Sequence, residues 1–508
     1  IANFILFKNS NYFLMNIMVL HTTSYFSKVN RLHRILYKRI THLADFDKKA
    51  LKTNSLFTNT HSHIIIKSKQ MFRKGMIKMD TSAEPRGIFL VIDNKSFYAT
   101  VECTMRGLDP LTTPLVVMSD AKNTGGGLVL ASSPMAKKLY HISNVNRKRD
   151  LPLDNHLIVV PPRMNTYIEK NLAVNNIYRE FVADEDLLPY SIDESILDIT
   201  HSWKLFGDDP LSVVKKIQKT VKDRLKLITT VGIGENPLQA KIALDIYAKH
   251  DPRFIGEITY DTVKEKIWTI PEITDVWGIN QKTAKNLARL GINTMNDLAH
   301  ADPFILKEKM GVIGTQLYAT AWGIDRTDLA EEVLPKDKSI GNSQVLPRDY
   351  YNAREIEIVI REIGAQVASR LRAHKKQAGG VYLSISYSLS APTEETGFAH
   401  SLKLSDSTVN PDIITEQLVY LFYTYWDGES PVRRISVAAT RLADRYGEQL
   451  DLFSTPKHDM VKVEDTIDKI RQCFGKTAIM RASSLEKGGT FIERSKLVGG
   501  HAGGQSLE

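Results

Sequence analysis

Cysteine is nearly absent: Cys103 and Cys473 stand far apart among 508 residues and in no ligand-spaced cluster. This excludes a disulfide framework and a zinc site, and fits a reducing cytoplasm. Long apolar runs are missing too. In the opening IANFILFKNSNYFLMNIMVL, Asn3, Lys8, Asn9, Asn11 and Asn16 keep every run short of a membrane span, and no charged region precedes it to make a secretory signal. The body lacks any charge excess. The net charge is +9, but residues 1–86 carry 15 Lys+Arg against 4 Asp+Glu, leaving 52 basic and 54 acidic residues for 87–508. Bulk charge therefore argues for no partner, and any phosphate-binding surface must come from local clusters. Length, by contrast, is ample for several domains.

Residues 1–86 show no caps, heptads or sustained period, and are expected to be a basic extension, either disordered or read through from a start upstream of Met76 or Met79. Order is expected from Gly87, where GIFLVID reads as a buried strand and SFYATVECTMRG as a helix. PLVVM and LVLASS read as strands, with Pro134 opening the helix PMAKKLYHI. A strand at HLIVVPP, a helix at YIEKNLAVNNIYREFV, two strands around a turn in YSIDESILDIT and a helix over Leu211 to Lys226 complete an α/β block. After the strand, turn and helix of ITTVGIGENPLQAKIALDIYAK, the pattern reads as wholly helical to Arg326. A charged linker leads to a third section patterned β-α-β-β-α-β, in which Val381, Leu383 and Ile385 alternate with Tyr382, Ser384 and Ser386 as a strand buried on one face.

Asp93 ends an apolar strand, which delivers its carboxylate from a rigid element. Alone it reads equally as a cap for the next helix. Asp193 and Glu194 are harder to explain structurally. Adjacent strand residues point to opposite faces, so two neighbouring acids converge only at a turn, and Asp-Glu is poor chemistry for a tight hairpin. A local rule broken without local compensation points to a functional site. Three carboxylates on neighbouring strands suit two Mg2+ ions about 4 Å apart, the arrangement of two-metal phosphoryl transfer.

VIDNKSFYATVE, YSIDES and VGIGENPLQAKIA, in that order, resemble the signature segments of Y-family translesion DNA polymerases, and within them the UmuC-like branch of Gram-positive bacteria. The resemblance covers about residues 85–500. It implies an α/β (α+β) multidomain right-hand polymerase: palm over 87–100 and 157–250, small fingers over 101–156, a helical thumb with a helix-hairpin-helix over 251–330, a linker over 331–344, a little finger over 345–446 and a tail over 447–508. It implies metal ligation by Asp93, the backbone carbonyl of Asn94, Asp193 and Glu194, with Ser191 just ahead of the acidic pair. Tyr98, beside Phe97, falls at the steric gate, where a flat ring under the incoming sugar excludes a 2′-hydroxyl. Lys137 and Lys249 match triphosphate contacts, although the helix before Lys249 is one residue longer here. Pro134 replaces a tyrosine of several relatives, so its contact is absent or passes to Ser132 or Ser133. An ordinary core aromatic and solvated helix faces are the plain readings of these residues.

Gly278, Ile279, Lys282 and Thr283 read as the turn and helix start of the helix-hairpin-helix, which grips DNA phosphates without reading bases. Ser384 and Ser386, with the basic cluster Arg370, Arg372, Lys375 and Lys376, could line the DNA backbone. EQLDLF resembles a bacterial sliding-clamp motif, through Gln449, Leu450, Leu452 and Phe453. The expected partners are primer-template DNA, deoxynucleoside triphosphates, the sliding clamp and accessory repair proteins, with no membrane, in a cytoplasmic, nucleoid-associated setting. Two other readings remain: a palm-type nucleotidyltransferase or cyclase that uses no DNA, and a non-catalytic damaged-DNA-binding scaffold.

Overall fold

The computed structural model describes residues 79–120, 127–331, 339–445 and 458–504, with side chains from 462 onward in the last segment. The first α/β block runs β1 (Phe89–Asn94), α1 (Phe97–Met105), β2 (Leu115–Ser119), β3 (Leu128–Ser132), α2 (Pro134–Tyr140), β4 (Ile158–Val160), α3 (Met164–Tyr178), β5 (Leu187–Pro189), β6 (Glu194–Asp198) and α4 (Pro210–Leu225). It continues with β7 (Thr229–Gly234), α5 (Pro237–Ile242) with a π-helical turn over Ala243–Ala248, and β8 (Ile255–Ile258). A five-stranded sheet of order β5-β6-β1-β7-β8 forms its centre, with β1 antiparallel to both neighbours. Leu90 and Ile92 of β1 pack with Tyr167, Val174 and Tyr178 of α3 and with Val213 and Ile217 of α4. Phe89 and Val91 pack on the other face against Ala240, Leu244 and Ala248. Helices thus cover both faces, which is why β1 is a continuous apolar run and not an alternating one. Strands β3, β2 and β4 form a separate small sheet carrying α2.

A helical section follows, including α6 (Gln281–Ala288), α7 (Met295–His300), α8 (Pro303–Met310) and α9 (Val312–Ala321) around Ile273, Leu287, Leu298 and Leu317. The third section is β9 (Ser339–Tyr350), α10 (Ala353–Ala373), β10 (Lys376–Tyr387), β11 (Gly397–Thr408), α11 (Pro411–Tyr425) and β12 (Val432–Asp444), a four-stranded antiparallel sheet of order β11-β10-β12-β9. Val381, Leu383 and Ile385 turn to α10 and α11, as their alternation requires.

Four details differ from the sequence expectation. The stretch read as wholly helical contains β8, which pairs in parallel with β7 and so extends the central sheet to Ile258. Contact with the body begins ahead of Gly87: Glu84 is buried and holds Arg326 through Nε at 2.7 Å, and Met79 packs on the helical section. The C-terminal segment is not separate. Its helix α12 (His458–Phe474) sends Asp468 and Glu464 to the buried Arg372 of α10, at 2.7 and 3.2 Å, and the Asn165 amide of α3 donates to Gly503 O at 2.9 Å. The helix after β7 takes a π-turn, which absorbs its additional residue. Residues 1–78 and the clamp-like segment Gln449 to Phe453 lie outside the described residues.

Candidate active site

Asp93, Asp193 and Glu194 meet because β1 and β6 are antiparallel neighbours. Asp93 stands opposite Glu194 in the register, and the Asn94 amide donates to Asp193 O at 2.8 Å across the strand ends. Ser191 builds the turn: its Oγ donates to Asp193 Oδ1 at 2.7 Å and accepts from the Glu194 amide at 3.0 Å. That bond is the local compensation for two adjacent acids.

Burial, opposed by Lys249 and reinforced by Asp193 and Glu194, pushes the Asp93 carboxyl up to about 7. Asp193 is raised as well, by burial and then by Glu194. Lys241 on α5 bonds Glu194 Oε1 at 2.7 Å and Asp245 Oδ2 at 3.1 Å, and Lys249 bonds Asp245 Oδ1 at 2.7 Å. Burial disfavours the Lys249 charge, but Asp93 and Asp245 outweigh it and hold the ammonium above its ordinary range. The π-turn between Lys241 and Lys249 therefore resolves the register left open by the sequence: both lysines serve the carboxylate cluster.

Among the described residues, no three His, Cys, Asp or Glu side chains close on one point as a finished metal cage. Glu194 is drawn to Lys241 and Asp193 to Ser191. The donors nevertheless suit a hard divalent cation, being carboxylate oxygens whose crowding around Asp93 a cation would relieve. Asn94 Oδ1, next in the chain, is buried without a hydrogen-bond partner.

Tyr98 lies over the same cleft. Its ring stacks on Tyr167 with centroids 4.3 Å apart and planes 14° apart, and Phe97 is buried at 5.9 Å. Tyr167 donates its hydroxyl to Glu102 at 2.7 Å, and Arg163 holds Glu102 at 2.7 and 2.9 Å. Lys137 reaches across from α2 to Ser96 Oγ at 3.0 Å. The two serines expected to replace the missing tyrosine are both buried. Ser132 is wholly buried, and Ser133 Oγ caps α2 through the Ala136 amide while donating to Thr113 O.

In the helical section Gly278 is exposed at φ 91°, Ile279 is buried, Lys282 is exposed, and Asn280 caps α6 through the Thr283 amide. Ser384 and Ser386 sit half-buried on the face of β10 away from its helices, opposite Ser436 and Arg434 of β12. Of the four basic residues expected to join them, three are engaged elsewhere and Lys375 is exposed. Arg372 is buried against α12, Arg370 donates to Gly341 O at 2.7 Å, and Lys376 pairs with Asp444 at 2.5 Å. Sequence reading missed Tyr167, Lys241 and Arg434. Arg434 carried no signal either, since it falls in phase with Ser436 on the polar face of β12, where a charged side chain is ordinary.

The comparisons agree with this geometry. The profile of the impB/mucB/samB family matches residues 92–245, that of its C-terminal domain 337–452, and that of the IMS family HHH motif 260–292. A UV-damage repair protein of Bacillus subtilis, UvrX, is 35% identical over 83% of this chain and 99% of its own length. DNA polymerase IV 2 of the same organism is 34% identical over 82% and 98%. DNA polymerase IV 2 of Halalkalibacterium halodurans is 31% identical over 82% and 99%. In fold, the chain is similar to a Y-family DNA polymerase chimera, with a TM-score of 0.55 and 21% identity over 70% of this chain and 99% of that one. With relatives of this identity aligned along nearly their whole length, the chain belongs to the impB/mucB/samB family and is a translesion DNA polymerase of the Y family.

Proposed function

We propose that Asp93, Asp193 and Glu194, with the Asn94 carbonyl, hold two Mg2+ ions and carry DNA-directed DNA synthesis. Membership of the family carries a general dependence on a divalent metal; the identity and number of the ions are our reading. The observation that supports it most is the strand register that sets Asp93 opposite Glu194 and beside Asp193, where burial, and after it the two neighbouring carboxylates, lift Asp93 to about 7. The bound ions would supply Lewis acidity to the primer 3′-hydroxyl and neutralise the triphosphate.

The chain's own residues do the rest. The 3′-oxygen attacks the α-phosphorus, the bond from that phosphorus to the β-phosphate oxygen breaks, pyrophosphate leaves and the hydroxyl proton passes to solvent. Lys137 and Lys249 flank the cluster where the triphosphate would lie. Tyr98, pinned by Tyr167, faces the sugar and excludes a 2′-hydroxyl. Gly278, Ile279, Lys282 and Thr283 hold a duplex phosphate at the hairpin, and Ser384 and Ser386, with Arg434, line the DNA backbone. Gln449, Leu450, Leu452 and Phe453 bind the sliding clamp. We place the enzyme in the cytoplasm at the nucleoid, with accessory repair proteins; among the described residues no helix is long and apolar enough to cross a membrane.

Primer extension with Mg2+ tests the centre of this reading. Wild type adds deoxynucleotides and Asp193→Ala loses activity by about 100-fold or more, on the order of 3 kcal/mol of transition-state stabilisation. Undiminished incorporation by Asp193→Ala would overturn it, and incorporation by wild type that does not follow a template would favour the other nucleotidyltransferases.

A further inference from the structure

Lys95 carries a charge that the fold leaves unneutralised. It is half-buried between Asn94, at the end of β1, and Ser96, the residue ahead of α1. Its backbone amide is used, donating to Ile228 O at 2.8 Å. Its ammonium has no carboxylate in ion-pair contact among the described residues, and lies over the Phe254 ring at 4.6 Å from the centroid. Such a contact orients an ammonium without cancelling its charge. The ring is itself fixed. Phe254 is held at φ 58°, rare for a bulky residue, by bonds from its amide to Asp251 O and from the Val231 amide to its own carbonyl.

The surroundings are those of a polyanion site. Ser96 is left-handed at φ 50° and gives the nine-residue α1 no side-chain cap. Lys137 arrives at Ser96 Oγ from α2, and Lys249 approaches from the end of the π-turn. The charges of Lys95, Lys137 and Lys249 act on one another and on Asp93. Lys249 is already held by Asp245, and an anion of several charges placed between the three ammoniums would be attracted by all of them at once. The start of α2 adds no polar side chain to this cleft, since Pro134 has none, Ser132 is buried and Ser133 is engaged as a cap.

We propose that Lys95 is a third lysine of the nucleotide-binding cradle, gripping the triphosphate of the incoming nucleotide and then the pyrophosphate product. The assignment rests on the polymerase reading above. Lys95→Met keeps the aliphatic stem on Phe254 and removes the charge; Lys95→Arg keeps both. The full chain is assayed for single-nucleotide incorporation, and for Ca2+-supported dNTP binding to its complex with a 3′-dideoxy-terminated primer-template. Lys95→Met is expected to raise the dNTP KM and the Ca2+-state Kd about tenfold, with the loss falling on KM more than on kcat, and to weaken inhibition by inorganic pyrophosphate in parallel. Lys95→Arg is expected to return both constants to within about threefold of wild type. Unchanged KM and Kd, an equal loss of primer-template affinity, or failure of Lys95→Arg to restore binding would each overturn the proposal. The two readings fail separately: an inactive Asp193→Ala with a wild-type KM in Lys95→Met removes only Lys95, whereas an active Asp193→Ala removes the carboxylate site.

Discussion

Tyr98 shows how one side chain is fixed by its neighbours. Its burial holds the phenol well above the usual range, so it stays neutral, and the Tyr167 ring beneath it is fixed through Glu102 and Arg163. Tyr98→Ala is expected to raise ribonucleotide relative to deoxyribonucleotide incorporation by roughly 100-fold, while Tyr98→Phe keeps discrimination; kcat/KM for matched rNTP and dNTP pairs checks it. Asp93 gives a prediction in pH. Its carboxyl lies at about 7 in the fold, chiefly through burial, against 3.8 for an ordinary aspartate, so the folded state binds this proton more tightly. Its contribution to stability is therefore complete below about pH 4 and lost as pH rises through about 7. In EDTA the thermal midpoint should fall across that window, and Mg2+ should lessen the fall, because a cation replaces the proton. Asp93→Asn should flatten it. Asp93, Asp193, Glu194 and Tyr98 stood out in the sequence because each broke a local pattern or matched a motif. Tyr167 and Lys241 did not, because an aromatic and a lysine on helices look like core and solvated face until the partner strand is in place.

At the level of the element, α5 and its π-turn position chemistry through close contact with β7. Gly232 permits this: a Cβ there would meet Ala240 O at 2.0 Å and the Leu244 amide at 2.4 Å. Both are backbone atoms, so Gly232→Ala must part strand from helix. Destabilisation of about 1–3 kcal/mol is expected, read as a lower thermal midpoint, with a higher dNTP KM as Lys249 moves away. Elements with a clear pattern were legible: α4, α10 and β10 lie where period and capping put them, and β1 where its apolar run does. The four-residue strand β8 was not, since so short a run has no period of its own and is defined only by pairing with β7.

For the whole molecule, the C-terminal segment changes the picture of the tail. It packs on α10 through Arg372 and reaches α3 through Gly503, so the chain after the little finger returns to the palm. The clamp-like EQLDLF thus lies between β12 and α12, and Arg445 and Asp465, from either side of it, pair at 3.3 Å. Paired Leu452→Ala and Phe453→Ala substitutions should abolish capture of the purified clamp while leaving primer extension without clamp unchanged; retained capture would remove the motif from the interface. By itself the sequence determined the order of the modules, the three acids and the gate, because these follow from local period, turn chemistry and motif. Only the tertiary structure decided where the basic residues act. Arg372 is consumed by a helix nearly a hundred positions later in the chain, Ser132 is shut inside a sheet, and Lys95 lies over the Phe254 ring, because pairing and burial depend on neighbours that sequence distance does not record.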